Sequence, residues 1–194
     1  MISFMRARAD SLWGWLAVYA AVVLVASGIS VAGISLVARA IGGTGGESFG
    51  PPLLLKPGSL AIHTVGQAPG GGDWFLPSQG ELGEYLRFAR AGDCRVGVLA
   101  RGTAAGGVWP QLRLVVDDEV MAGVRETSGQ WNASTWTVPL SAGVHKIAIR
   151  YVNDAVSGSE DRNLLVRALS VRVATGSAAP RVATRDDWMT EKLK

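Results

Sequence analysis

A run of 28 residues from Ser11 to Ala38 contains no Asp, Glu, Lys, Arg or His, and no other feature of the chain restricts its folding as much. As an α-helix the run would extend about 42 Å at roughly 1.5 Å per residue, more than the roughly 30 Å hydrocarbon core of a bilayer. A cleavable signal peptide has an apolar core of roughly 7–15 residues, so the expectation is an uncleaved signal anchor that crosses a membrane once. Arg6 and Arg8 precede the span, only Arg39 follows it closely, and Trp13, Trp15 and Tyr19 gather at its N-terminal end. Both signals put the N-terminus in the cytoplasm. The rest of the chain is then a periplasmic or extracellular domain tethered to the inner membrane. Small residues crowd the second half of the span, and Gly28 and Ala32, with Gly33 beside them, offer a face on which another transmembrane helix can pack.

The expected organisation is a cytoplasmic segment over residues 1–10, a transmembrane helix over 11–40 and a Gly/Pro linker over 41–57. A β-sandwich over 58–174 and a tail over 175–194 complete it. The linker carries Gly42, Gly43, Gly45, Gly46 and Gly50, then Pro51, Pro52 and Pro57, a composition that cannot bury a core. Of the net charge of +3, most comes from the arginines flanking the span. Beyond them the balance is close to neutral, without the Lys/Arg run that tracks a phosphate backbone, so nucleic acid is excluded as a partner. Cys94 is the one cysteine and reads as a buried, inert thiol. His63 and His145 stand in separate segments and belong to no metal or nucleophile motif.

Behind the linker, short segments alternate apolar and polar residues between turn residues. Strands are expected near Ser59–Val65, Leu82–Phe88, Arg95–Ala100, Gln111–Val116, Val120–Arg125, Thr135–Leu140, Val144–Val152 and Leu164–Val173. In the last of these, Leu165, Leu169, Val171 and Val173 are expected on one face, with Arg167 and Arg172 on the other. His145, Ile147, Ile149 and Tyr151 alternate with Lys146, Ala148 and Arg150 in the same way. Such alternation, with turns every eight to twelve residues, is the pattern of an antiparallel β-sandwich. The fold class is therefore all-β, a jelly-roll-like sandwich preceded by one transmembrane helix. Trp74 and Trp109 read as core plugs, and Trp131, beside the polar turn Asn132-Ala133-Ser134, as the exposed tryptophan available to a ligand.

The segment Asn153 to Leu164 joins the last two strong strands and carries three carboxylates. Hard cations such as Ca²⁺ take oxygen ligands, and Asp154, Glu160, Asp161 and Asn163 are the candidate set. The spacing is not that of an EF-hand.

Several stretches together resemble the calcium-dependent xylan-binding carbohydrate-binding modules. They are Ala104-Ala105-Gly106-Gly107-Val108-Trp109-Pro110, the strand Leu112 to Asp117, Ser141-Ala142-Gly143-Val144-His145, and Asn153-Asp154 followed by Asp161-Arg162-Asn163-Leu164. Trp74-Phe75-Leu76-Pro77-Ser78 and Gly80 sit where that family opens its first long strand, so the resemblance covers about Trp74 to Val173. It implies a β-sandwich without catalysis, with Ca²⁺ as its one cofactor, Asp154 and Asp161 as the cation ligands, and sugar hydroxyls completing the shell. The sequence departs from the pattern at Ala155 and Val156, where the family places aromatic residues, and at Asp118-Glu119, where an Asp-Gly turn is usual.

In the tail, Thr184 and Asp187 form a capping box with a short acid, and Asp186 and Asp187 suit a helix dipole. A helix of about ten residues is unstable alone in water, so Trp188, Met189 and Leu193 are expected to dock on a partner protein. Two readings of function result. The first is a non-catalytic accessory subunit of a membrane protein complex, by analogy of an energy-converting kind. The second is a membrane-anchored, Ca²⁺-dependent carbohydrate-binding module with polysaccharide as its partner. The small-residue span, the missing loop aromatics and the tail favour the first.

Overall fold

The computed structural model describes residues 48–121 and 123–193. The span expected over residues 11–40, with Gly28, Ala32 and Gly33, lies outside them. Among the described residues no helix is long and apolar enough to cross a membrane.

In chain order the strands begin with β1 (Leu53–Leu55), β2 (Ile62–His63), β3 (Gln67–Gly70), β4 (Asp73–Leu76) and β5 (Gly80–Phe88). There follow β6 (Gly92–Gly102), β7 (Gln111–Val116), β8 (Glu119–Val120), β9 (Arg125–Glu126) and β10 (Asn132–Leu140). The last are β11 (Gly143–Tyr151), β12 (Val156–Ser157), β13 (Glu160–Asp161), β14 (Leu164–Val173) and β15 (Arg181–Val182), before helix α1 (Arg185–Lys192). One antiparallel sheet runs β10-β6-β14-β4-β3, with β1 pairing the second half of β14. The other runs β15-β5-β11-β7-β8, with β2 on β5 and β9 on β7. Leu82, Leu86, Leu114, Ile147 and Ile149 of the second sheet meet Val96, Val98, Val138, Leu169 and Val171 of the first in one core. This is the two-layer packing that period-two alternation calls for. Cys94 is 1% exposed within it, and burial pushes its thiol up to about 12.

Three strand expectations change. The segment Ser59–Val65 contributes only the two-residue β2, and residues 57–59 form a 3₁₀ turn. Val120–Arg125 is not one strand but two fragments on the same edge of β7. In β14 the register against β6 shifts between Val166 and Ala168. The extra residue reverses the alternation: Leu164, Val166, Leu169 and Val171 face the core, whereas Leu165 turns to the opposite face, contrary to the simple alternation.

The tail is part of this fold. Trp188, expected to anchor a partner protein, is 7% exposed and packs with Ile62, Tyr85 and Val144 on the outer face of the second sheet. The capping box forms as expected, Thr184 accepting from Asp187 N–H while the Asp187 carboxylate accepts from Thr184 N–H. Met189 and Leu193 remain exposed. The helix is held by the turn between β7 and β8, where Asp117 and Asp118 both take positive φ, 51° and 74°, as a two-residue hairpin turn requires. Asp117 Oδ1 accepts from Trp188 Nε1 at 2.6 Å and from Lys146 N–H at 2.9 Å. Its Oδ2 pairs with His145 Nδ1 at 2.7 Å, and its carbonyl accepts from Lys192 Nζ at 3.2 Å.

This cluster makes stability depend on pH from both sides. The hydrogen bond to Asp117 raises His145 above its ordinary 6.5. Burial works against ionisation of Asp117, but hydrogen bonds from His145, Lys146 and Trp188 hold it below its ordinary 3.8. The His145 contribution is complete below 6.5 and fades as pH rises through its folded value. The Asp117 contribution is complete above 3.8 and fades as pH falls through its folded value. Thermal unfolding of the full chain is expected to show a plateau between these limits that Asp117→Asn lowers and flattens. Trp188→Ala is expected to cost about 3–5 kcal/mol, the usual range for removing a buried aromatic ring, measured by denaturant titration.

Candidate functional site

The loop from Asn153 to Leu164 is a β12–β13 hairpin at one end of the sandwich, and two polar side chains of its flanks bind it to the 104–110 turn. Asn153 sits just past the end of β11. Its Oδ1 accepts from Gln111 N–H at 2.6 Å, and its Nδ2 donates to Trp109 O at 2.9 Å. Arg162, only 7% exposed, donates to three backbone carbonyls. Nε reaches Val108 O at 2.8 Å, one terminal nitrogen reaches Ala105 O at 2.6 Å, and the other bonds Asn153 O. A buried charge persists only where its donors find acceptors, and here the planar guanidinium fork gathers three segments around one cation. Sequence reading placed Asn153 and Arg162 in a motif without seeing that they are clamps.

Asp154 faces the hydroxyl of Tyr151, a residue only 1% exposed. That hydroxyl lies 3.3 Å from Asp154 Oδ1 and donates to Arg162 O at 2.7 Å. Burial first, then the two carboxylates, raise the Tyr151 pKa above its ordinary value, against the pull of Arg162. Carboxylate and carbonyl oxygens are donors of the kind a hard cation takes; Asp154 stands at the Tyr151 hydroxyl, and Asp161 lies on β13, in register with Val156 of β12. The other two candidates are placed differently. Glu160 is committed to Gly106 N–H at 2.8 Å. Asn163 Nδ2 donates to Asp161 O at 3.2 Å, leaving Oδ1 buried without a hydrogen-bond partner. Among the described residues no group of three or more His, Cys, Asp or Glu is gathered as a metal site, so the remaining ligands of a Ca²⁺ would have to be carbonyl, amide or sugar oxygens.

Beside the hairpin, on the first sheet, lies an open groove of about 340 Å³ lined by Phe75, Arg101, Thr103, Gly129, Asn163 and Leu165. Cross-strand register sets its floor: Phe75, Leu165 and Arg101 stand abreast on β4, β14 and β6. The shift at Arg167 turns Leu165 outward to join them. Gly102 lets Pro110 and the Asn163 carbonyl pack closely on β6, because a Cβ there would come within 2.5 Å of both. Trp131 stands at the head of β10, half-buried with Leu99, Ala133 and Ala168. Its ring lies 3.9 Å from the Arg167 guanidinium and 4.9 Å from that of Arg101, so cations occupy the surface that was expected for a ligand. Trp74 packs against the core, its Nε1 donating to Val65 O. Phe75, Arg101 and Leu165 were not read as site residues from the sequence; Leu165 was expected on the other face, because the bulge in β14 leaves no mark in the alternation.

Residues 95–184 match the model of a family described as Ca-dependent, xylan-binding carbohydrate-binding modules. Among solved structures, the chain is similar to the C-terminal family 6 module of a marine laminarinase from Zobellia galactanivorans. The identity is 14%, the TM-score 0.47, and the coverage 62% of this chain and 98% of that one. A family 35 module from Cellvibrio japonicus has 18% identity and a TM-score of 0.42, covering 69% of this chain and 98% of that one. A mannan-binding module in its bound conformation has 18% identity and a TM-score of 0.43, with 63% and 98% covered. Among curated proteins none matches the chain in sequence.

Arg162→Ala is expected to remove three hydrogen bonds, leaving Ala105 O and Val108 O with only the backbone amides that also bond them and Asn153 O without the guanidinium. A hydrogen bond to a charged group contributes about 1.5–3 kcal/mol, so the variant should lose several kcal/mol in denaturant titration, and Arg162→Lys should recover only part of it.

Proposed function

We propose that the chain is a non-catalytic carbohydrate-binding module, held at a membrane by its N-terminal segment, that binds polysaccharide at the hairpin end of its sandwich. The family match carries the reading, because residues 95–184 include both the 104–110 turn and the 153–164 loop that Asn153 and Arg162 bind into one unit. Asp154 and Asp161 are the residues that would hold Ca²⁺. When bound, the ion would supply positive charge to which sugar hydroxyls can attach. Ala155 and Val156 stand where the resemblance places aromatic rings, and Val156 is 72% exposed, so the hairpin tip offers an aliphatic contact and no stacking surface. Weak xylan binding is expected for that reason. The membrane segment would display the module outside the cytoplasm, from the inner membrane.

The accessory-subunit reading ranks second. It retains the small-residue face of the span and the exposed Met189 and Leu193, at 44% and 85%, but Trp188 is spent on the chain's own sheet. Co-purification in mild detergent tests it: Gly28→Leu is expected to strip helical partners if that reading holds.

Affinity electrophoresis of the full chain in mild detergent, through gels containing xylan, mannan or laminarin, tests the main reading. Retardation by at least one of them is expected, with a calcium-dependent part that Asp161→Ala removes. Chelation should also lower the melting temperature of the unmodified chain, because an ion bound only by the native state stabilises it. Migration unaffected by every glycan would sink the proposal.

A further inference from the structure

Ser141 and Ala142 join β10 to β11, and the nine residues of β11 separate this turn from the 153–164 loop. Ser141 is exposed. Its Oγ lies 3.1 Å from His145 Nε2, and His145 Nδ1 lies 2.7 Å from Asp117 Oδ2. A hydroxyl within reach of an imidazole whose other nitrogen is held by a carboxylate is the arrangement that activates a serine, whatever the fold around it. No sequence spacing announces it, because Asp117 comes from the separate β7–β8 turn.

The role of each group is fixed by its other bonds. Lys146 N–H and Trp188 Nε1 hold the second oxygen of Asp117. A carboxylate only accepts, so the proton of a neutral His145 ring must sit on Nδ1, which leaves the Nε2 lone pair toward Ser141. The Ser141 carbonyl is also 3.1 Å from Nε2, but it too only accepts, so the donor to a neutral ring is the hydroxyl. Packing fixes the ring as well. The His145 side chain is 12% exposed and meets Phe88 in a T-shaped contact, 5.8 Å between ring centroids.

We propose that Ser141 is a covalent modification site, a hydroxyl activated by His145 and oriented through Asp117, that takes up the acyl group of small activated esters. Ser141 Oγ attacks the ester carbonyl carbon while its proton passes to His145 Nε2. The new Oγ–C bond forms, the bond from that carbon to the leaving oxygen breaks, and the alcohol departs with the proton from Nε2. The ester is the one co-reactant, and nothing is oxidised or reduced. None of the three residues lines the groove of the first sheet, and the turn lies open to solvent, so the product is a stoichiometric acyl-serine without turnover. The site is independent of the carbohydrate reading.

The reaction needs the neutral ring. The hydrogen bond to Asp117 and, from α1, the charge of Glu191 favour the protonated one against burial, and hold His145 above its ordinary 6.5. Lys192 is bonded to the Asp117 carbonyl, and Lys146 is committed to Glu81 and Asp118. Acylation should therefore quicken as pH rises through the raised His145 value and then level off.

The test is treatment of the full chain in mild detergent with p-nitrophenyl acetate or with an alkyl fluorophosphonate, the modified peptides being mapped by mass spectrometry. Both reagents are expected to label Ser141. His145→Gln should slow that labelling by roughly 10²–10⁴-fold, the usual contribution of a positioned base, and Asp117→Asn should slow it too. Ser141→Ala should remove it while leaving migration through glycan gels unchanged. Acetylation of the exposed Lys56 is the internal control and should be the same in every variant. The pH profile of the unmodified chain, read from about pH 6 to about pH 9 across the histidine range, decides the matter even if the His145 and Asp117 variants fail to fold. Acetylated Lys56 with Ser141 unlabelled, Ser141 labelling that a folded His145→Gln leaves unchanged, or a profile without the histidine-dependent rise would overturn the proposal.

Discussion

Desolvating a guanidinium requires acceptors for its N–H groups, and at Arg162 they come from the backbone of two separate segments. The Ala105 and Val108 carbonyls belong to the turn between β6 and β7, the Asn153 carbonyl to the chain leaving β11, and Arg162 itself to the chain entering β14. No ladder of either sheet could join these pieces, because they lie beyond the strand ends. The buried charge thus joins Asn153 and Glu160 in holding the hairpin that carries the carboxylates against the turn packed beside it. The Tyr151 hydroxyl extends the network by donating to the Arg162 carbonyl while facing Asp154, which couples the strand core of β11 to the loop chemistry.

A second polar centre, at Asp117, does the corresponding work on the outer face of the other sheet. Its carboxylate accepts from a strand amide, a histidine and the indole of Trp188. Asp118 pairs with Lys146 at 2.6 Å, and Glu81 pairs with the same lysine and with Arg150. Although burial opposes it, hydrogen bonds from Lys146 and Arg150 hold the Glu81 carboxyl below its ordinary range. The Asp-Asp turn takes the positive φ that the resembling family meets with Asp-Gly. An aspartate at the second position accepts backbone strain and gains a lysine contact that glycine could not make.

The long strands were legible because each buries one face. Ile147, Ile149 and Tyr151 of β11 lie in the core as their spacing predicts, and Cys94 is the inert thiol it was read to be. Edge fragments such as β2, β8 and β9 were not legible, since two-residue pairings leave no periodicity. Leu165 was assigned to the wrong face because a bulge changes phase without changing composition. Trp188 was misread for a different reason: an amphipathic helix shows that it needs a surface but not whose surface. In the acidic loop, residue chemistry put forward Asp154 and Asp161, of which Asp154 stands at the Tyr151 hydroxyl. It could not foresee that Glu160 would be taken by a backbone amide.

Helix α1 covers Ile62, Tyr85 and Val144, an apolar strip on a sheet face that would otherwise meet water. A chain ending near Thr184 would present that strip bare, next to the short β2 and β15 edges of β5. Exposed apolar surface beside open strand edges is the arrangement through which sandwiches self-associate. The last ten residues thus act as a built-in guard against clumping, and boundaries chosen from the family match alone, which stops at residue 184, would cut it away.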